Sequence, residues 1–513
     1  MNIKRAKDEI KKSVRAYLER NEQGEYRIPA VRQRPILLMG PPGIGKTAIM
    51  EQAARECNIA LVSYTITHHT RQSAVGLPFI EKMYYDKTSY SVTEYTLSEI
   101  IASVYEKINR TGIKEGILFI DEINCVSETL APTMLQFLQC KRFGNHKVPE
   151  GWIIVAAGNP PEYNKSVRDF DIVTLDRVKR IDIQADYDVW KEYAYKNAIH
   201  GAVMSYLELK RDNFYDVRTT VDGKIFVTAR GWEDLSEMLK AYERLNYKVD
   251  TEFILEYLQH PEIAMDFSNY YDLYNKYKKD YRIDEILGGK VSEAAYERVK
   301  LAPFDERYSI LSHLLSGLNT AFEEADFQNK YVGDIYGMLK EIMEIYGKSS
   351  HNIRTDASKV TSAAAEKLDR QLASGLIAGN DLHALRGAIK YINEAALKYG
   401  VGTENNPATE EAFAGIKKDF AAVSAHREEV LDAAGARLEN AFDFVLKAFG
   451  EEQELVMFVT ELSLSYYAVM FINEQGCSRY TYYAAKYLAE DGQREILDDI
   501  KAVREHGYGT TAI

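Results

Sequence analysis

Residues Gly40-Pro41-Pro42-Gly43-Ile44-Gly45-Lys46-Thr47 follow directly on the apolar run Pro35-Ile36-Leu37-Leu38-Met39 and lead into Thr47 to Cys57, which has helical character. An apolar run cut short by a Gly/Pro turn reads as a buried strand. The string fits G-x-x-x-x-G-K-[ST], and a strand before it with a helix after it is the context that pattern requires. Its glycines let successive backbone N–H groups turn inward around phosphate oxygens. The positive N-terminal end of the helix, at Lys46, Thr47 and Ala48, faces the same oxygens. Lys46 supplies charge to the β- and γ-phosphates, and the Thr47 hydroxyl can ligate Mg²⁺. Gly40 to Ala48 therefore reads as a cradle for ATP.

Two further apolar runs end in polar residues. Ile117-Leu118-Phe119-Ile120 delivers Asp121 and Glu122, and Trp152-Ile153-Ile154-Val155-Ala156-Ala157-Gly158 delivers Asn159 before Pro160. Ligand sites of open parallel sheets lie at the carboxyl ends of strands, so both ends should reach the crevice of Lys46. Asp121 is positioned to hold the Mg²⁺ shell through water, and Glu122 to polarise an attacking water as general base. Asn159 can orient water or the γ-phosphate. Taken alone, paired carboxylates also cap helices, and Asn-Pro also starts turns; the company they keep favours the functional reading.

Punctuation divides the chain. Eleven of the twelve prolines lie at or before Pro303, and the remaining one is Pro407. The early part reads as strands alternating with helices: strands at Ile59–Ile66, Gly116–Ile120, Trp152–Ala157 and Val178–Ile183, and helices at Leu97–Asn109 and around Leu130–Gln139. Near-continuous apolar strands in such alternation indicate a parallel sheet covered on both faces. The expected fold is an α/β P-loop NTPase sandwich, followed by a helical lid and a C-terminal all-helical region. The expected segments are a basic N-terminal helix and lead-in at 1–34, the ATPase core at 35–186, the lid and extension at 187–345, and a helical domain at 346–513. Breaks are expected near Lys348 to Asp356 and Gly400 to Ala408.

A net charge of −13 argues against general nucleic-acid binding, which needs a basic surface. The basic N-terminal stretch carries Ile3, Ala6, Ile10, Val14 and Leu18 at helical spacing, as in a solvated helix packed on the core by its apolar stripe. Cys57, Cys125, Cys140 and Cys477 lack metal-ligand spacing and suit reduced thiols in the cytoplasm. No signal peptide is evident. Leu455 to Ile472 is apolar but contains Glu461 and follows Glu451, Glu452 and Glu454, so it reads as a buried helix rather than a membrane span. His68-His69 has no companion ligands. Asn164-Lys165-Ser166-Val167 is not a guanine reader, and the tyrosines of Tyr270 to Tyr281 suit a packed helix better than base stacking.

Together GPPGIGKT, ILFIDEIN, LQFLQ, AAGNP, LDR and TARGW resemble the AAA+ ATPases, and within them the MoxR-like group, over about residues 35 to 250. In that family's terms Lys46 and Thr47 belong to Walker A, Asp121 and Glu122 to Walker B, and Asn159 to sensor 1. Leu175-Asp176-Arg177 resembles the segment whose arginine reaches a neighbouring subunit's γ-phosphate. Val178 replaces the usual aromatic, and Arg180 and Arg168 stand close, so the choice among the three arginines stays open. Thr228-Ala229-Arg230-Gly231-Trp232 resembles sensor 2, with Ala229 where proline is frequent, and implies that Arg230 contacts nucleotide. Thr67 to Thr96 matches the position of an insertion, and Arg142 to Val148 a hairpin; each suits a pore- or partner-facing element and equally a plain surface loop. The resemblance implies a homo-oligomeric ring, a hexamer, that remodels a partner protein with a von Willebrand factor A domain. An ATP-gated scaffold with slow hydrolysis and a nucleic-acid-dependent ATPase are the alternatives.

Overall fold

In the computed structural model, which describes all residues except 69, 86–87, 144, 164–169, 222, 350–352, 400–409 and 489–513, the chain forms two compact units. The first comprises Met1–Val189, Thr228–Gly231 and Gly337–Ala408; the second comprises Trp190–Val227, Trp232–Tyr336 and Thr409–Ile513.

The first unit opens with α1 (Ile3–Leu18), capped by the Asn2 side chain. Its Ala6, Ile10 and Val14 are buried, and Lys7 and Lys11 reach Glu56, so the apolar stripe packs and the basic face meets a carboxylate. Then follow β1 (Ile36–Met39), α2 (Lys46–Glu56), β2 (Ala60–Thr65), α3 (Arg71–Val75), the hairpin β3 (Pro78–Tyr85) and β4 (Thr88–Tyr95), and α4 (Glu99–Thr111). Next come β5 (Gly116–Asp121), α5 (Ala131–Cys140), the short hairpin β6 (Arg142–Phe143) and β7 (His146–Lys147), β8 (Trp152–Gly158), α6 (Ile172–Leu175) and β9 (Lys179–Asp182). The expected insertion at Thr67 to Thr96 is α3 with the β3–β4 hairpin, and the expected hairpin at Arg142 to Val148 is β6–β7.

β2, β5, β8, β1 and β9 lie in that order in one sheet, every pair parallel. Side chains alternate between faces along a strand. Leu37, Leu118, Ile120, Ile154 and Ala156 share a core with Ile100 and Val104 of α4 and Phe137 of α5. The opposite face is covered by α2, which packs on β2 and β5. Because both faces are covered, β1 and β8 are buried along their whole length.

The second unit begins within α7 (Tyr187–Lys196) and continues through α8 (Gly201–Leu209), the hairpin β10 (Asp216–Thr220) and β11 (Gly223–Val227), and α9 (Ala229–Leu245). After these come α10 (Thr251–Leu258), α11 (Pro261–Tyr281), α12 (Ile283–Leu287), α13 (Glu293–Lys300) and α14 (Phe304–Ser349). α15 (Ile353–Ser374) and α16 (Gly379–Tyr399) pack on each other in the first unit, where α15 also lies on α4. α17 (Glu410–Phe449), α18 (Gln453–Leu464), α19 (Tyr466–Gln475) and α20 (Ser478–Tyr487) complete the described chain. The expected break near 348–356 falls where α14 ends at Ser349 and α15 starts at Ile353, and that near 400–408 lies outside the described residues. Tyr271, Tyr274 and Tyr281 of α11 are buried, as the packed-helix reading expects.

The lid and extension expected as helical are so apart from the β10–β11 hairpin. One local expectation is corrected: Leu455 to Ile472 is not one helix but α18 and α19, meeting at 90°. Ser465 makes the break: its hydroxyl accepts the Ala468 N–H and donates to Asn319 Oδ1 at 2.7 Å. Among the described residues no single helix is long and apolar enough to cross a membrane.

Glu461, the carboxylate in that apolar stretch, is buried against Lys191 Nζ at 2.5 Å, and Lys191 also meets Glu208 at 2.5 Å. Burial pushes the Glu461 carboxyl above its ordinary range while Lys191 pulls it down. Removing one partner of a buried pair costs about 3–5 kcal/mol, because the other charge is stranded. Lys191→Ala should therefore lower unfolding free energy in urea by about that amount, and Lys191→Met with Glu461→Leu should recover part of it. A loss under about 1 kcal/mol for Lys191→Ala would show the pair to be solvated.

Candidate nucleotide site

The site forms where β1, β5 and β8 end side by side. β1 pairs with β8, and β8 with β5, so Met39, Gly158 and Ile120 end at one edge of the sheet. The chain after Met39 turns through Gly43 at φ +73° and Gly45 at φ +91°, a left-handed backbone that glycine adopts freely. A Cβ on Gly43 would also lie 2.8 Å from Thr228 Oγ1. Gly45 caps α2, whose first-turn N–H groups, at Lys46, Thr47 and Ala48, precede the first helical bond from Ile49 N to Gly45 O. These donors fit the oxygens of a phosphate tail.

Lys46 is 8% exposed. Its ammonium donates to the carbonyls of Gly40 at 2.8 Å and Pro41 at 2.7 Å, and to Asn159 Oδ1 at 2.8 Å. Burial lowers its pKa to about 8, with Arg230's charge acting the same way and the carboxylates of Asp121 and Glu122 opposing. Ile44 of the loop is buried.

Thr47 Oγ1 donates to Asp121 Oδ2 at 3.0 Å, so the hydroxyl and the carboxylate expected to share a metal are already in contact. These hard oxygen donors fit Mg²⁺, which Thr47 would hold directly and Asp121 through water. The next residue, Glu122, has φ +57°. A non-glycine residue in this region carries strain that is retained where surroundings fix it, often at functional sites. Here the Glu122 N–H binds Asp121 Oδ1 at 2.9 Å, and its carboxylate accepts the Thr67 hydroxyl at 2.9 Å.

Asn159 is held from the other side. Asn124 Nδ2 donates to the Asn159 carbonyl at 2.8 Å, and Asn124 Oδ1 accepts the Asn159 N–H at 3.3 Å. Thr67 and Asn124 are the residues that sequence reasoning missed. Thr67 follows the carboxyl end of β2, where the strand-end rule could have found it; Asn124 sits in the same Asp-Glu-Ile-Asn turn as Glu122.

Arg230 reaches the site from the start of α9. Its N–H binds the Gly43 carbonyl at 3.2 Å, and its charge acts on Lys46. The other arginines stand elsewhere. β9 runs parallel to β1, and Lys179 N–H at its start binds Pro35 O at 2.8 Å. Arg177 therefore lies at the amino end of the sheet, roughly 13 Å of strand from the cradle. It is exposed and donates to Gln139 Oε1. Arg180 is paired with Asp182 at 2.8 Å, and Arg168 lies outside the described residues.

Residues 36–175 match the model of the ATPase family associated with various cellular activities (AAA). No curated protein matches the chain. The matched stretch contains the cradle, both carboxylates and Asn159, and stops two residues before Arg177. It coincides with the five-stranded parallel sheet up to β9 and with its flanking helices, so this part of the chain is similar to an AAA domain and has a P-loop α/β fold.

Proposed function

We propose that this chain hydrolyses ATP with Mg²⁺, as a member of the MoxR-like branch, and uses the turnover to remodel a partner protein. The observation that carries the reading is the convergence of Lys46, the Thr47–Asp121 pair, Glu122 and Asn159 at neighbouring strand ends. Bound Mg²⁺ would screen the phosphate oxygens. Lys46 would exchange its carbonyl partners for phosphate oxygens, a stronger acceptor for an ammonium. Asn159, now bonded to Lys46, would turn to water or the γ-phosphate. Glu122 would take the proton of the attacking water, and Thr67 fixes the direction of that carboxylate.

A cation in trans is supported by what the site contains. Lys46 and Arg230 are balanced by Asp121 and Glu122, so charge developing in phosphoryl transfer calls for a further donor. Arg177 is too far along the sheet to serve its own copy, and it is exposed for another. A ring of identical copies, six in the related branch, would complete each site between neighbours. A partner carrying a von Willebrand factor A domain follows from the MoxR resemblance alone.

Three outcomes test this reading. Glu122→Gln should bind ATP within about threefold of the parent affinity and lose about a hundredfold or more in turnover. Retention of most of the turnover would remove Glu122 as base. Arg177→Ala should lower turnover by about a thousandfold where the finger acts, with little change in nucleotide affinity, and Arg180→Ala should not. The third concerns Lys46: the ammonium binds phosphate and the neutral amine does not. As pH rises through about 8 the free protein loses that proton, so binding must take one up. The ADP dissociation constant should then rise by up to about tenfold per pH unit above 8, with proton uptake seen by calorimetry in buffers of different ionisation enthalpy. An affinity that stays flat to pH 9.5 would mean that Lys46 keeps its charge without phosphate.

A further inference from the structure

We propose that Gln139 is a positioning residue that aims Arg177, so that the arginine offered to a neighbouring copy depends on the helix that follows the carrier's own Asp121–Glu122 turn. This deepens the reading of Arg177 as the trans finger and rests on it.

The topology brings the two residues together. β5 ends at Asp121, the chain turns through Glu122, and α5 runs back to the amino end of the sheet, from which β8 starts at Trp152. Gln139, in the last turn of α5, therefore stands at the end of the sheet where Arg177 precedes β9. α5 is fixed along its length: Met134, Phe137 and Leu138 are buried in the core that holds Leu118, Ile120, Ile154 and Ala156. Phe137 stacks on Phe143 at 4.1 Å between ring centroids. The catalytic turn is tied to the same strands, with Ile123 N–H on Ala157 O at 2.9 Å.

The backbone of Arg177 is equally fixed. Asp171 caps α6 by accepting the Thr174 N–H at 2.7 Å, Arg177 N–H binds Thr174 O at 3.0 Å, and Val178 is buried in the core. What the backbone leaves undecided is the direction of a long exposed side chain with many rotamers. The Gln139 Oε1 acceptor on Nη1 supplies that direction.

The chemistry of the acceptor matters. A guanidinium has five N–H donors, so one bond to Gln139 leaves Nη2 and Nε able to meet phosphate oxygens. A neutral amide orients the cation without neutralising it. Asp171 bears on Arg177 electrostatically, but its carboxylate is bound to Thr174. Arg180 shows the contrast: its charge is held by the carboxylate of Asp182 two residues away.

The test uses the full chain, with steady-state ATP turnover, nucleotide affinity and melting temperature measured for Gln139→Ala, Gln139→Glu, Arg177→Ala and the double variant Arg177→Ala/Gln139→Ala. Gln139→Ala, which frees the arginine, and Gln139→Glu, which holds it in an ion pair, should each lower kcat by about tenfold, with KM and nucleotide affinity within about twofold. The double variant should be no slower than Arg177→Ala alone, because a positioning residue has nothing left to position. If Arg177→Ala is impaired while Gln139→Ala turns over at the parent rate, the inference fails and the finger reading stands. A further loss in the double variant would mean that Gln139 acts apart from Arg177, and overturns the inference. Parent-like turnover by Arg177→Ala would sink the finger reading and this inference with it.

Discussion

The ammonium of a lysine that is 8% exposed must find acceptors or lose its proton, and the carboxyl ends of the strands are arranged around that requirement at Lys46. Two of its acceptors, the carbonyls of Gly40 and Pro41, belong to the turn that carries it. The third, Asn159 Oδ1, belongs to another strand, so the ion joins β1 to β8 as well as closing its own loop. Carbonyl and amide oxygens are weaker partners than ionised ones, and burial lowers the Lys46 pKa to about 8. Phosphate oxygens would be stronger acceptors. A site that holds a buried cation on neutral acceptors beside a helix N-terminus is prepared for an anion before one arrives.

The preparation extends to the acids. Asp121 is held by the Thr47 hydroxyl and by the N–H of Glu122, while Glu122 is held in a left-handed conformation with Thr67 on its carboxylate. The Thr47–Asp121 and Thr67–Glu122 bonds run between different elements: α2 to β5, and the end of β2 to the turn after β5. Parallel strands make this possible, because all their carboxyl ends open on one edge and each can contribute one group. The strand order β2, β5, β8, β1, β9 sets β8 between β5 and β1, which is why Asn159 can touch Lys46 and also be clamped by Asn124.

Much of this was legible because burial on both faces leaves a plain mark: β1, β5 and β8 are continuous apolar runs ending in polar residues. Their neighbours were harder to read. β10 carries Asp216, Arg218, Thr219 and Thr220 and is largely exposed, so no apolar period marks it against its helical surroundings. The break at Ser465 was hidden because serine satisfies a helix end by one hydroxyl without a glycine or proline to announce it. Glu461 looked out of place in an apolar stretch because its partners, Lys191 and Tyr195, are some 270 residues earlier in sequence. Thr67 and Asn124 escaped notice because a hydroxyl and an amide are ordinary at strand ends; what singles them out is a partner, and partners are tertiary. The role of the helices beyond Ser349 stayed illegible, since small apolar faces such as Ala384, Ala388 and Ile392 specify packing and no chemistry.

The arginines divide according to what holds them, and the division bears on the proposed ring. Arg230 shares the field of Lys46, where its positive charge makes the ammonium harder to keep and a phosphate more welcome. Arg180 is matched by a carboxylate, so moving it to a phosphate would first require breaking an ion pair. Arg177 is oriented by a neutral oxygen and keeps its charge. A cation meant for another molecule should be aimed without being neutralised, since a carboxylate partner would compete with the phosphate it is meant to reach. Of the two arginines described beside β9, Arg177 alone meets that condition.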